Sequence, residues 1–297
     1  MKIIKSAFSI MAILVMISCP LGALAQKKAA AFKQPPGSRK SMNDFLSKQW
    51  WVGPLGGINI TTAVVDQQFH AYEPINYDVS TLDANYSRSK SPSGSAGIML
   101  MYSSYPFTVS FQPNYRTIGF QYESRNNWRS STDSTQTLSQ LITNNQKLNQ
   151  INLPILIKYE FGKGNLRPFV QAGGELNINL RSWRNVEIHQ QDIAAGSTQT
   201  VLSNSFTVNN DDQFKKTDFG LLAGAGVFYD YQFLRLSLDI SYRLLGSQLT
   251  NENNRFSDVN SAGVGHLTDQ LSYRNLQLNF GILFPLKYVN SGLSRGN

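Results

Sequence analysis

Residues 149–178 read NQINLPILIKYEFGKGNLRPFVQAGGELNI. Two runs in which apolar and polar residues alternate flank the short turn-forming segment GKGNLR. The apolar rows are Ile151, Leu153, Ile155, Ile157, Tyr159 and Phe161, then Val170, Ala172, Gly174, Leu176, Ile178 and Leu180. A period of two predicts β-strands with one apolar face. The fold depends on whether that face packs inside a soluble protein or contacts lipid.

The N-terminus carries an export signal. Two lysines precede an apolar run, and Ala23-Leu24-Ala25 is typical of a cleavage site, so we expect a signal peptide over residues 1–25, cleaved between Ala25 and Gln26. Cys19 is the only cysteine, and its lipobox-like context leaves lipidation as an alternative to loss with the signal. No later segment approaches the roughly 20 apolar residues of a spanning helix.

The positive charge of the chain lies in its ends. Residues 26–50 hold six Lys and Arg against one Asp, whereas residues 51–284 hold 17 basic and 18 acidic residues. We therefore expect a basic linker over 26–50, a nearly neutral body over 51–286 and a C-terminal tail over 287–297. Because an exported chain with a neutral body lacks a basic face, the sequence argues against nucleic-acid binding.

The body contains eight predicted strands, at 51–65, 95–104, 106–123, 146–161, 167–183, 214–231, 232–250 and 266–286. Short turns alternate with the long polar links 66–94, 124–145, 184–213 and 251–265, and either 66–94 or 184–213 could hide a hairpin, which would make ten strands. The best helical segments are a short one beginning at Ser41 and one over Thr135–Ile142. Long loops at one end and short turns at the other are typical of outer-membrane barrels, with the short turns periplasmic.

The strand pattern decides between a soluble β-sandwich and a membrane barrel. A sandwich has shorter strands and no sorting of loops by length. The sequence therefore predicts an all-β, eight-stranded antiparallel transmembrane barrel with its apolar rows facing lipid and both termini periplasmic. Aromatic residues near the short turns would form a girdle at the membrane interface, comprising Trp50, Trp51, Tyr102, Tyr105, Phe107, Tyr159, Phe161, Tyr229, Phe284 and Tyr288.

The opposite rows predict a lumen lined with charge. Eight strands enclose a space that side chains just fill, and buried charges must pair. We expect a structural network of ion pairs made by Arg116, Lys158, Glu160, Glu175, Arg181, Asp218, Arg235, Asp239 and Arg243. A solute path or ligand site made of the same residues is the alternative.

No familiar catalytic or metal-binding spacing is present. None of the histidines, His70, His189 and His266, has a histidine two or four residues away. Asp66 with His70, or His266 with Asp269 and Ser272, could imitate the catalytic group of a hydrolase at the barrel rim. Without a recognised catalytic spacing, solvated loop polarity explains these residues better than a hydrolase does, so we predict no enzyme activity, cofactor or metal.

Four segments resemble the PorT-like outer-membrane β-barrels of Bacteroidota. They are Gly56-Gly57-Ile58-Asn59, Leu153–Tyr159, Pro168–Gly174 and Phe280–Phe284, within a resemblance covering about residues 51–286. The resemblance implies an eight-stranded antiparallel barrel in the outer membrane, and one branch of the family is tied to type IX secretion. It offers no catalytic residue.

Three functions follow from this reading. The first is a non-enzymatic barrel with a structural or accessory role in the envelope, with a link to secretion as one form of that role. Its segment 26–50 either meets an envelope protein partner or anionic lipid, or is a solvated linker. The second is a small pore or a surface ligand-binding barrel. A rim hydrolase is the third and least favoured.

Overall fold

The computed structural model describes residues 48–69, 84–88, 92–129, 137–162, 164–194, 197–231, 234–255 and 268–286. The predicted cleavage site at Ala25 and Gln26, Cys19, the proposed helix at Ser41 and the tail 287–297 lie outside this part of the chain. No helix among the described residues is long and apolar enough to cross a membrane.

The described residues form an antiparallel β structure with eleven strands. The strands are β1 (Lys48–Gln67), β2 (Asn85–Arg88), β3 (Ser93–Ser104), β4 (Phe107–Phe111), β5 (Asn114–Arg129), β6 (Thr137–Glu160), β7 (Leu166–Ala194), β8 (Ser197–Asn209), β9 (Thr217–Tyr231), β10 (Leu234–Gly246) and β11 (Gln270–Pro285). Two short 3₁₀ helices occupy Asp211–Gln213 and Glu252–Asn254.

Eight strand positions close into a ring, which confirms the predicted barrel. The ring runs β1, β3, β4 with β5, β6, β7, β9, β10 and β11, and β11 pairs back onto β1. Because β4 and β5 keep the same register against β6, they fill one position. β2 pairs with β5 beyond the end of β3. β8 pairs with residues 183–194 of β7, past the part of β7 that pairs with β9 in the ring.

The sheet extends well beyond the length that a membrane requires. β6 has 24 residues and β7 has 29, whereas a tilted spanning strand needs about 9–11. The parts of β5, β6 and β7 that lie away from the short turns, together with β8, extend beyond the ring, and we call them the projecting sheet. The loops predicted at 124–145 and 184–213 are therefore largely strand, and the helix predicted over Thr135–Ile142 is wrong from Thr137 onward. A strand outside lipid needs no outward apolar row, so its polar sequence looks like a loop.

The outer surface of the ring carries an apolar band. Large apolar side chains are exposed there on every strand of the ring, for example Ile98, Ile155, Ile157, Val170, Phe219, Leu221, Leu238, Ile240, Leu278 and Phe280. On the projecting part of β7 the outward residues are polar, as at Asn185 and Glu187. The apolar row of residues 151–161 therefore faces outward, as the sequence predicts.

Aromatic side chains border the band at the short-turn end. Tyr159 contacts Phe107 and Phe161 with ring centroids 5.3 and 5.1 Å apart, and all three rings are exposed. Trp51, which we placed in this girdle, is instead completely buried. It lies on the inward row of β1, whereas its neighbour Trp50 faces outward. Tyr288 lies outside the described residues.

Pro154 interrupts the ladder on one side of β6 only. Pairing of β6 with β4 stops at Ile155 and resumes with β5 at Asn152. The carbonyl of Pro154 accepts a hydrogen bond from the amide of Gln112, but a proline has no N–H to return it. On the other side Pro154 stays in register opposite Glu175. A proline within a strand predicts either a local bulge or a missing hydrogen bond. The ladder does lack a bond on this side of β6, and Pro154 is buried on the inward face.

The outward apolar band predicts a position-dependent cost for charge. Ile155→Arg, in the middle of the band, should lower the free energy of unfolding in phospholipid vesicles by about 2–4 kcal/mol, because a basic residue would face hydrocarbon. Asn185→Arg, on the outer face of the projecting sheet, should change it by less than about 0.5 kcal/mol. Equal costs measured by denaturant unfolding would contradict this placement of the band.

Candidate functional site

The lumen is the most distinctive chemical environment of the molecule. Among the described residues, twelve charged side chains are buried, six of each sign. The basic ones are Arg116, Lys158, Arg167, Arg184, Arg235 and Arg243, and the acidic ones are Glu160, Glu175, Asp218, Asp230, Asp239 and Asp269. Alternation along the strands aims them inward, since odd positions of β6 face out and even ones face in. The strands thus enclose a balanced set of charges.

The first cluster lies next to the short turns. Arg167 of β7 pairs with Glu160 of β6 at 3.1 Å and with Asp230 of β9. Arg235 of β10 pairs with the same Asp230 at 2.7 Å. The guanidinium of Arg235 also lies 4.1 Å from the ring centroid of Trp51. This end of the lumen is filled by a chain of alternating charges that stacks on an aromatic ring.

The second cluster surrounds Lys158. Its ammonium lies 3.8 Å from Asp239 and 4.4 Å from the centroid of Phe169. Asp239 in turn accepts hydrogen bonds from Gln171 and Asn279 at 3.1 and 3.0 Å. The lysine is held by one carboxylate and by the negative face of an aromatic ring.

The third cluster is the most densely connected. Glu175 accepts from Arg243 at 3.0 Å and pairs with Arg116 at 3.4 Å. Arg243 also donates to Asp218 at 2.7 Å. A side chain on the neighbouring Gly220 would not fit, because its Cβ would lie 2.7 Å from Nε of Arg243. Two cations and two carboxylates thereby interlock across four strands.

An apolar layer covers the third cluster on the side away from the short turns. It comprises Ala63, Ile118, Phe120, Tyr122, Leu148, Phe214, Leu249, Leu271 and Tyr273, all buried. Above it, Arg184 donates to the hydroxyl of Tyr122 at 2.9 Å, and Asp269 accepts from the hydroxyl of Tyr86 at 2.7 Å. Charged and apolar layers therefore alternate along the lumen.

Eight of the nine residues predicted in the lumen network are buried there, and Arg181 is not. The prediction for Arg181 is wrong because β7 bulges: Asn149 lies opposite Arg181 while Gln150 lies opposite Asn179. The extra residue resets the alternation, so Arg181 is exposed and Arg184 is buried in its place. A prediction that assumes strict alternation along β7 cannot detect this change of side.

Four further charged residues of the lumen are not predicted by the sequence pattern. Arg167 and Asp230 lie at strand ends beside turns, where we assigned no inward row, although both keep the parity of their strands. Arg184 was assigned to a loop. Asp269, also buried, was considered only as part of a rim hydrolase. Extending the alternation into the turns would have found the first two.

The structure describes only some of the residues considered for a hydrolase at the barrel rim. Asp66 accepts a hydrogen bond from the hydroxyl of Ser272 at 3.2 Å, while Asp269 is engaged by Tyr86 and by the amide of Phe69. His70 and His266 lie outside the described residues, and His189 is exposed on β7. Within the described ranges no group of three His, Cys, Asp or Glu side chains is arranged to hold a metal ion.

A polar cleft of about 330 Å³ opens beside the two 3₁₀ helices. Asp211, Asp212, Lys215, Lys216 and Asn251 line it. Its charges are mixed, and Asp211 already accepts a hydrogen bond from the amide of Ser182. Compared with the lumen, it offers few convergent groups to a ligand.

Three solved structures align with most of this chain at low sequence identity and low structural similarity. Neisserial surface protein A aligns at 13% identity over 79% of this chain and 96% of its own, with a TM-score of 0.31. The attachment invasion locus protein Ail of Yersinia pestis aligns at 11% identity over 80% of this chain and 99% of its own, with a TM-score of 0.29. The translocator domain of the autotransporter NalP from Neisseria meningitidis aligns at 9% identity over 90% and 97%, with a TM-score of 0.26.

Sequence comparison identifies the family. No curated protein matches the chain. The model of the outer membrane protein beta-barrel domain matches residues 25–247, which is most of the sequence and includes β1 to β10. The chain therefore belongs to the outer membrane protein beta-barrel domain family, and it is a protein of the outer membrane.

Proposed function

We propose that this protein is a non-enzymatic barrel with a closed lumen and a structural or accessory role in the envelope. The observation that carries the proposal is the pairing of buried charges. Five buried basic side chains form ion pairs with five buried acidic ones, and every pair in the three clusters joins a cation to a carboxylate at 3.8 Å or less. A conducting path needs exposed groups and water, whereas balanced pairs that fill the space suit a structural plug.

The orientation and export of the barrel belong to the same proposal. An even number of ring strands returns the chain to the side on which it began, and the short turns of such barrels are periplasmic. We infer that residues 1–25 are a signal peptide and that both termini lie in the periplasm. The projecting sheet then faces the cell exterior.

Conductance in a planar lipid bilayer tests the closed lumen. The purified full-length barrel should produce no conductance steps, because charged and apolar layers occupy its whole length. A general porin of 16 strands, reconstituted in the same way, gives the positive control. Reproducible ohmic steps from this chain would contradict the proposal and favour the small-pore function.

The basic segment 26–50 is the proposed contact with a partner. It carries six Lys and Arg and a single Asp, which suits an acidic envelope protein or anionic headgroups. The resemblance of residues 153–159 and 168–174 to PorT-like barrels supports membership of that family of Bacteroidota, one branch of which is tied to type IX secretion. An accessory role in secretion is therefore part of the proposal.

Crosslinking in native membranes tests this contact. Replacing Lys27, Lys28, Lys33, Arg39 and Lys40 by Gln should remove the crosslinked envelope partner while leaving β1 and the barrel intact, because all five precede Lys48. The control variant replaces the exposed residues Ser139, Asn185, Ser205 and Asn209 of the projecting sheet by Gln. An unchanged set of partners in the basic-segment variant would contradict the contact.

A further inference from the structure

The bulge in β7 places an arginine on the outer surface. Because Leu180 is the extra residue in the pairing of β6 with β7, Leu180 and Arg181 are consecutive and both exposed. Bulges re-aim side chains and are often found beside functional sites. Here the bulge moves a guanidinium from the lumen to the outside of the barrel.

A second basic residue lies beside it. Lys147 of β6 is exposed on the same face, directly opposite Trp183, and Asn149 is opposite Arg181. Lys147 and Arg181 are therefore diagonal neighbours, about 7–8 Å apart in an antiparallel sheet. We call these two residues the rim pair.

Within the described part of the chain, the rim pair has no ion-pair partner. No carboxylate among these residues lies within 4.0 Å of either side chain. The carboxylate of Asp211 comes close to Arg181, but it accepts a hydrogen bond from the amide of Ser182, the next residue along the chain. The first acid on the outer face of β7 itself is Glu187, six positions or about 20 Å from Arg181. Two neighbouring cations repel each other, so the rim pair favours an anion between or beside its members.

The rim pair marks the boundary of the apolar band. Leu180, immediately before Arg181, is 43% exposed and apolar, and beyond Arg181 the outward residues of β7 include Asn185 and Glu187. Trp183, partly exposed between them, is of the type that occupies membrane interfaces. On β11, Leu276 is the apolar outward residue nearest the loop end, and the exposed Arg274 lies immediately beyond it. The cations thus lie at the depth of lipid headgroups.

We propose that Lys147 and Arg181 bind the phosphate groups of lipid A in the leaflet that surrounds the loop end of the barrel. The choice of lipid A rests on the proposed orientation, because that leaflet is then the outer one. Paired donors beside an apolar band suit a phosphorylated glycolipid whose acyl chains lie along Leu180 and Ile151, while Arg and Lys donate to its phosphate.

Binding to the detergent-solubilised full-length barrel tests the proposal. Native mass spectrometry would follow titrations with bisphosphorylated lipid A, phosphatidylglycerol and phosphatidylethanolamine. The wild type should prefer lipid A. The double variant Lys147→Gln/Arg181→Gln should bind it about 30-fold more weakly, since each basic residue at a membrane surface contributes about a factor of five.

A matched control removes one charge elsewhere. Arg125 is exposed on the projecting part of β5, away from the apolar band. Arg125→Gln should therefore retain wild-type affinity for lipid A, whereas Arg181→Gln alone should bind it about fivefold more weakly. All of these variants should unfold at the wild-type denaturant midpoint, because the substituted side chains are on the surface.

Three outcomes would overturn the proposal: equal affinity of the rim-pair variant and the wild type, a loss in the control variant equal to that of Arg181→Gln, or no preference of the wild type for lipid A. Binding of phosphatidylglycerol as tight as that of lipid A would assign the pair to phospholipid and overturn the choice of lipid A. The binding assay does not depend on whether the lumen conducts, so its failure leaves the closed lumen untouched.

Discussion

Ten of the twelve charged side chains buried in the narrow lumen form ion pairs, and this pairing organises the barrel. An isolated buried ion costs several kcal/mol even after the protein relaxes around it. Here Glu175 is shared by Arg116 and Arg243, and Asp230 is shared by Arg167 and Arg235. Sharing lets each carboxylate satisfy two cations from different strands. The pairing therefore also ties together strands that are distant in sequence.

The same pairing explains the small residues beside the network. Arg243 crosses the lumen to reach both Glu175 and Asp218, and the space that it uses lies over Gly220. Even an alanine there would crowd the guanidinium. Glycine at this position therefore leaves room for the side chain of Arg243 on the neighbouring strand, and it is not required by an unusual backbone conformation.

Much of the ring could be predicted from the sequence because lipid imposes a strict pattern. In residues 151–161 every second side chain is apolar, and no soluble strand needs such a long row. Inward charges such as Lys158 and Asp239 follow at once from the same parity. Where lipid no longer constrains the outer face, as in β8 and the upper parts of β6 and β7, the polar residues resemble loops and the prediction fails.

Two other failures have a local cause. Arg181 was assigned to the lumen because a bulge at Leu180 cannot be seen in a sequence that alternates on both sides of it. Trp51 was assigned to the interface because its type suits a girdle, although its parity on β1 places it inside against Arg235. Within a strand, odd or even position predicts which side a residue faces better than its residue type does. That rule applies only to stretches without a bulge.

The central claim is that the lumen charges stabilise the barrel as pairs. A double-mutant cycle on Glu175 and Arg243 tests it most directly, with denaturant unfolding in phospholipid vesicles as the measurement. Glu175→Gln and Arg243→Met should each lower the free energy of unfolding by about 3–5 kcal/mol, because each strands a buried partner. The loss in free energy of unfolding of the double variant should be smaller than the sum of the two single losses by about 1–3 kcal/mol. Strictly additive losses would contradict the account.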